Sequence, residues 1–380
     1  MIRILILKTK KSVHFDNKYM SIAFNLAKKG IAASFPNPSV GCVVVECNHD
    51  FKNDKIVGFG FTQRGGRPHA EAKALEKINF KKKKKYLCYS TLEPCSHFGR
   101  DVSCLDKIKK TPISQIIFAL KDPDKRMKGS KIKQLSVDGK TIRSGILKKD
   151  LFKFYEGYFL NKIKNRPKIT LKMASTLDGK ITASKKKWIS NSSSRKIVHH
   201  LRSYHDAILV GSNTVRIDNP RLTCRIKGLE NTSPIRIVIN RKLDLSENLQ
   251  IITDKSVKTI LISSLKNEQI PKHLKKKNIE IINIKTEKFN LKNVLRELSS
   301  YGINNLLVEG GAQTAGFFLK SKFVDELMIF RNNFFVGDSE LSLIKFKGSY
   351  NEEEFKLKKL MKLKNNILEI YQSQSSLIFF

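Results

Sequence analysis

The 380-residue chain is poor in acidic side chains and in cysteine, and it has no long hydrophobic run. No stretch approaches the roughly 18 apolar residues that a membrane span needs. The start, Met1 to Lys11, has only a short apolar patch, Ile4 to Leu7, and no small-residue cleavage site, too little for a signal peptide. The six cysteines, Cys42, Cys47, Cys88, Cys95, Cys104 and Cys224, show no disulfide-framework spacing. That excludes a stapled secreted scaffold and fits a soluble protein of the reducing cytoplasm. No G-x-G-x-x-G occurs, so a Rossmann fingerprint is excluded too.

The shortage of acid leaves 73 Lys plus Arg against 34 Asp plus Glu, a formal net charge of +39. Such an excess, taken alone, points to nucleic acid. Its pattern points away. The excess is mostly Lys, with Asn and Ile abundant as well, which is what drift under an AT-rich genome produces. The runs Lys81 to Lys85, Lys185 to Lys187 and Lys275 to Lys277 are short and dispersed, and no aromatics are interleaved as a base-stacking platform requires. No nucleic-acid partner and no membrane partner are expected.

What the chain does have is length for two domains, each with its own core, and one dense cluster of reactive residues. Pro68-His69-Ala70-Glu71 is followed by Glu93-Pro94-Cys95-Ser96-His97-Phe98-Gly99-Arg100 and then Cys104. One imidazole and two thiols suit a tetrahedral zinc ion, and three protein ligands leave the fourth position open, the catalytic pattern. Water at such a position has its pKa drawn towards neutrality. Glu71, two residues after His69, is placed to take a proton from it and pass it to a leaving group. Any one of these cysteines alone reads as a core residue; the combination His-x-Glu, Pro-Cys, Cys is the zinc nucleoside-deaminase signature.

Around that cluster, helices and strands alternate, which makes an α/β layer fold. Tyr19 to Lys29 reads as a helix stopped by Gly30, and Cys42 to Val45 and Lys55 to Phe61 as a hairpin. Pro68 to Ile78 reads as a helix opened by its proline. Tyr86 to Ser90 is a strand delivering Cys95, Cys104 opens a short helix to Lys110, and Ile113 to Leu120 is a strand. Val137 to Leu147 completes a domain spanning 14–150, and 151–165 reads as a linking helix. The second domain, 166–380, starts with a strand at Lys168 to Ala174 and a turn tipped by Asp178-Gly179. A helix follows at Ser193 to Ser203 with serines available as cap. Strands lie at Ala207 to Gly211, Ile235 to Ile239, Thr259 to Ser263 and Glu280 to Ile284. Helix Leu291 to Ser300 precedes strand Asn305 to Val308, which runs into Glu309-Gly310-Gly311 and another helix. Backbone amides at such a strand–Gly–helix junction can hold a phosphate.

Eight residues separate Cys95 from Cys104, and the sequence between them matches Pro-Cys-x-His-x-Gly-Arg. In this the first half resembles the riboflavin-pathway pyrimidine deaminases. The resemblance implies a cytidine-deaminase-like zinc domain in which His69, Cys95 and Cys104 bind zinc and Glu71 shuttles the proton. It also implies that Asn37, in Pro36-Asn37-Pro38-Ser39-Val40-Gly41, contacts substrate, with Asp122-Pro123 and Lys131 close by. Where that family has Thr-Pro-Pro before the second cysteine, this chain has Asp101-Val102-Ser103, a loss of two prolines that loosens the loop.

The second half resembles the reductase of the same pathway through Lys172-Met173-Ala174, Thr176 to Lys180, Trp188-Ile189-Ser190, Asp218-Asn219-Pro220 with Leu222-Thr223, and Val308 to Gly311. That implies a dihydrofolate-reductase-like α/β domain using NADPH. Position by position, it implies cofactor contacts at Ala174, Trp188, Thr214, Asp218, Gly311, Ala312, Gln313 and Thr314. It implies sugar-phosphate contacts at Arg202, Leu222, Arg225 and Glu309, with Lys172 and Lys180 near the reacting sugar. Two arginines can grip a phosphomonoester. The whole chain is then a bifunctional enzyme: deamination of a phosphorylated pyrimidine first, NADPH-dependent reduction of its ribosyl group second, in a homo-oligomer. Two alternatives stay open. A tRNA-type zinc deaminase shares the metal signature but leaves the second domain unexplained. A reductase whose zinc half is merely structural is allowed by Asp101-Val102-Ser103.

Overall fold

The run Cys42-Val43-Val44-Val45 offers apolar side chains to both faces of a strand, and the strand it builds is buried along its whole length. The computed structural model describes residues 10–31, 33–48, 54–97, 102–127, 132–184, 188–345 and 355–374. It divides into two units, Met1–Lys164 and Asn165–Phe380. The first runs α1 (Lys10–Gly30), β1 (Gly41–Cys47), β2 (Lys55–Phe61), α2 (Ala70–Leu75), β3 (Lys85–Leu92), α3 (Cys104–Lys109), β4 (Ile113–Leu120), α4 (Ile132–Val137), β5 (Thr141–Ser144), α5 (Lys148–Phe154) and α6 (Glu156–Lys164).

Its sheet has the order β2-β1-β3-β4-β5. β1 pairs antiparallel with β2 and β3, whereas β3–β4 and β4–β5 are parallel. Glycines set how closely helices approach it. A Cβ on Gly41 would lie 1.9 Å from Ala23 O in α1, and one on Gly60 would lie 2.5 Å from Ala70 O in α2. Gly60 pairs with Cys42, the neighbour of Gly41, so α1 and α2 cover opposite faces.

Several boundaries differ from the sequence reading. α1 starts at Lys10 rather than Tyr19, and Pro68 stands before α2, with His69 in the N-cap position. Residues 148–164, read mostly as a linking helix, form two helices belonging to the first unit: Leu151, Tyr155 and Tyr158 are buried in its core.

The second unit runs β6 (Lys168–Ser175), α7 (Ser192–Tyr204), β7 (Ala207–Gly211), α8 (Ser212–Asp218), β8 (Ile235–Ile239), α9 (Gln250–Thr253), β9 (Thr259–Ser263), β10 (Ile279–Asn283), α10 (Leu291–Ser300), β11 (Asn305–Glu309), α11 (Ala312–Lys320), β12 (Glu326–Asn332), β13 (Phe355–Leu363) and β14 (Asn366–Ser373). Its nine strands take the order β10-β9-β8-β7-β11-β6-β12-β14-β13. The first seven are parallel, and the β13–β14 hairpin closes the edge antiparallel. α7 is capped by Asn191, whose side chain accepts from Ser194 N, and not by a serine. The chain passes from β6 to β7 and later returns to insert β11 between them. In an open parallel sheet such a crossover leaves a crevice at the carboxyl ends of the strands, where ligands bind. Gly211 and Glu309 lie at those ends, with Glu309 in register with Lys172 of β6.

Candidate active sites

In the first unit, the start of α2, the loop after β3 and the start of α3 bring three soft donors together. His69 Nδ1 lies 3.5 Å from Cys95 Sγ and 3.4 Å from Cys104 Sγ, and all three donor atoms fall within 4.8 Å of one another. Bonds of about 2.0 Å to nitrogen and about 2.3 Å to sulfur in a tetrahedron place N and S roughly 3.6 Å apart. The triad is therefore already spaced for zinc. Cys104 N–H donates to Cys95 Sγ at 3.3 Å and so orients that sulfur. The Cys95 thiol is held down to about 4, chiefly by its hydrogen bond with Cys104, and the same bond pushes Cys104 up. A cation bound between the two thiols favours the thiolate form of both.

Glu71, in the first turn of α2, is buried, which pushes its carboxyl above the usual range; Ser90 Oγ donates to its Oε1 at 2.8 Å. A cleft opens at the triad with Arg67, His97 and Lys107 in its lining, a basic rim suited to an anionic ligand. His97 Nδ1 is buried there with no hydrogen-bond partner among the described residues. Ser103 caps α3: its Oγ accepts from Asp106 N at 3.1 Å and donates to Asp106 Oδ2 at 2.6 Å. The residue replacing a proline therefore fixes the start of the helix that carries Cys104; Asp101 lies outside the described residues. Asn37 Nδ2 donates to Gly66 O at 2.9 Å, which ties its loop down. Asp122 is pushed up to about 6 by burial and accepts from Tyr158 Oη at 2.9 Å. Lys131 lies outside the described residues.

In the second unit the turns after β7 and β11 lie side by side. Gly311 N–H donates to Thr214 Oγ1 at 3.4 Å, and Asn213 Nδ2 to Gln313 Oε1 at 3.3 Å. A Cβ on Gly211 would meet Thr314 Oγ1 at 2.7 Å, whereas one on Gly311 would meet nothing within 4 Å. The first turn of α11, Ala312 to Thr314, thus begins beside open space, the setting in which helix amides receive a phosphate. Asp218 ends α8, its carboxyl pushed up by burial. Ala174 is half-buried on β6. Trp188 is exposed, with the Arg195 guanidinium 5.3 Å from its ring.

Arg202 grips Glu309 bidentately, Nε to Oε1 at 2.9 Å and Nη2 to Oε2 at 3.0 Å, and Nη1 donates to Thr223 O at 3.1 Å. Lys172 Nζ stands 3.8 Å from the same carboxylate. Arg202 and Lys172 together hold Glu309 down to about 2, against the burial that opposes them. Arg202 spends three of its five N–H groups on Glu309 and Thr223. Arg225 is exposed and makes no ion pair among the described residues. Leu222 adopts φ +57° with its side chain packed in the core. Lys180 pairs with Asp338 at 3.2 Å.

Comparison with known proteins identifies the two domains. The family model described as "Cytidine and deoxycytidylate deaminase zinc-binding region" matches residues 13–120, and "RibD C-terminal domain" matches residues 167–368. The chain belongs to the RibD family. The riboflavin biosynthesis protein RibD of Aquifex aeolicus is 39% identical over 317 residues, 83% of this chain and 86% of that one. The Escherichia coli RibD is 30% identical over 83% of this chain and 87% of its own. Among solved structures, an Acinetobacter baumannii RibD superposes with a TM-score of 0.84 at 27% identity, covering 95% of this chain and 99% of that one.

As a RibD-family member, the chain is a bifunctional deaminase and reductase of riboflavin biosynthesis, with a zinc-binding deaminase domain followed by the reductase domain. The α/β fold class, the two activities and the zinc read from the sequence all hold. Among the described residues no helix is long and apolar enough to cross a membrane. Ser90 and His199 escaped the sequence reading. His199 Nδ1 accepts from Arg225 N–H at 3.3 Å. Ser90 stands in the strand that leads to Cys95, but nothing in its type marks it as the partner of Glu71.

Proposed function

We propose that the first domain deaminates a diamino-pyrimidinone ribosyl phosphate and that the second reduces the ribosyl group of the product to ribityl with NADPH. Support comes from a Thermotoga maritima diaminohydroxyphosphoribosylaminopyrimidine deaminase/5-amino-6-(5-phosphoribosylamino)uracil reductase, 29% identical with a TM-score of 0.79 and covering 95% of this chain. The observation that carries the deaminase assignment is the His69–Cys95–Cys104 triangle at tetrahedral spacing beside a buried carboxylate. His69, Cys95 and Cys104 hold zinc, which when bound lowers the pKa of water to near neutrality. Glu71, held by Ser90, takes a proton and delivers it to the leaving amine, so ammonia departs neutral. Asn37 and Asp122 face the pyrimidine, and Glu71 works in a dry pocket where its proton affinity is raised.

NADPH supplies hydride when bound. Its contacts are Ala174, Trp188, Thr214, Asp218 and the Gly311-Ala312-Gln313-Thr314 turn. Arg225 meets the substrate phosphate, Glu309 receives sugar hydroxyls, and Arg202, Lys172 and the Leu222 backbone complete the pocket. The enzyme works in the cytoplasm as a homo-oligomer on a small molecule and not on nucleic acid; six free thiols support the reducing compartment, and the dispersed lysines argue against a nucleic-acid surface.

The test is elemental analysis joined to ammonia release. Wild type should carry about one zinc per chain at the His69–Cys95–Cys104 site. Cys104→Ala should lose the zinc and the ammonia release while still oxidising NADPH with deaminated substrate. Ammonia release from zinc-free protein would overturn the assignment.

A further inference from the structure

We propose that Tyr155, at the junction of α5 and α6, is a positioning residue of the deaminase site, acting on Glu71 through the end of β3. This rests on the deaminase reading above and adds to it a part of the chain that carries no catalytic motif.

The side chain is buried, and its hydroxyl sits between two walls of the site. Tyr155 Oη lies 2.8 Å from Ser39 O and 2.6 Å from Thr91 Oγ1, and Gly41 N lies 3.0 Å from Thr91 Oγ1. The directions follow from what each atom can do. Ser39 O only accepts, so Tyr155 donates to it. Thr91 then donates to Tyr155 Oη, and Gly41 N–H donates to Thr91 Oγ1. Each hydroxyl donates once and accepts once, with no proton left over. The chain joins the Asn37 loop, through Ser39, to the strand leading to Cys95, through Thr91. All its members are buried, so water cannot replace a missing link without rearrangement.

The route to the reacting atoms is one residue long. Ser90 and Thr91 are adjacent on β3 and point to opposite faces. Thr91 faces Tyr155, while Ser90 turns the other way and donates to Glu71 Oε1 at 2.8 Å. Fixing Thr91 therefore fixes the depth and rotation of Ser90, and with them the carboxylate that moves the proton. The neighbouring Ser39 Oγ donates to Ala27 O at 2.6 Å, and Thr62 Oγ1 to Pro38 O at 3.1 Å. The Asn37 loop is thus pinned from three sides, and Tyr155 is the pin shared with β3.

Tyr155→Phe removes one oxygen and leaves the ring. The expected result is a fall of about 10-fold or more in kcat for ammonia release, the scale of losses when supporting residues of a metal site are removed. Zinc content and NADPH oxidation with deaminated substrate should stay at wild-type values. Thr91→Val should give the same loss, Thr91→Ser should recover most of it, and the Tyr155→Phe/Thr91→Val double variant should be no worse than the poorer single one, because both cut one chain. Wild-type kcat and KM in Tyr155→Phe, whatever its Tm, would overturn the proposal, as would losses that multiply in the double variant. If Tyr155→Phe does not fold, equal kcat in Thr91→Val and Thr91→Ser overturns it instead. A zinc-loaded wild type that releases no ammonia would overturn the deaminase reading itself, and this proposal with it.

Discussion

Replacing Arg202 with leucine removes both guanidinium bonds from Glu309 and leaves the buried carboxylate to Lys172 alone. Glu309 is held down to about 2, against 4.5 for a free side chain. A difference of that size corresponds to about 3 kcal/mol at neutral pH, the lower end of what removing one partner of a buried ion pair costs. For a unit of this size the loss appears as a drop of roughly 6–12 °C in Tm. The sign follows from the direction of the shift. A depressed carboxyl pKa contributes stability that is fully present above about pH 4.5 and is lost as pH falls towards 2. The gap between wild type and Arg202→Leu should therefore narrow to about 1 kcal/mol at pH 3. Thermal unfolding followed by circular dichroism at pH 7 and pH 3 measures both numbers. A Tm drop under about 2 °C at pH 7, or a gap that does not change with pH, refutes the reasoning.

Two other changes test other parts of the chain. Glu71→Gln should cut ammonia release by about 10²- to 10⁴-fold, with zinc retained by elemental analysis, because the donors are untouched and only the proton carrier is gone. Gly41→Ala would set a methyl 1.9 Å from Ala23 O, and α1 can escape only by moving off the sheet. A loss of about 3 kcal/mol or more in denaturant unfolding is expected; a midpoint like that of wild type would mean that α1 packs differently.

The parts of this structure that were legible in the sequence are those whose chemistry is local. β2, β4, β7 and α10 fall on the predicted residues because each combines a hydrophobic period with clear punctuation. His69, Cys95 and Cys104 were legible as a set because few uses other than a metal need those residue types in that order, and the structure brings them together. The packing partners of Arg202 and Leu222 were not legible. Whether an arginine has a buried carboxylate beside it depends on what β11 delivers, 107 positions further along the chain. That the Leu222 side chain packs into a core was not legible either. The helices α5 and α6 read as a linker because their amphipathic pattern does not say which core they join. Tyr155 and Ser90 act through single hydroxyl contacts formed by tertiary packing, and no pattern of spacing marks them.

The most direct test of two activities in one chain is an ordered assay on the zinc-loaded protein. The diamino-pyrimidinone ribosyl phosphate is added alone and ammonia is followed; NADPH is then added and its absorbance is followed. The account predicts ammonia first, then NADPH oxidation in proportion to the ammonia already released. NADPH oxidation without prior ammonia, or neither signal, would contradict it.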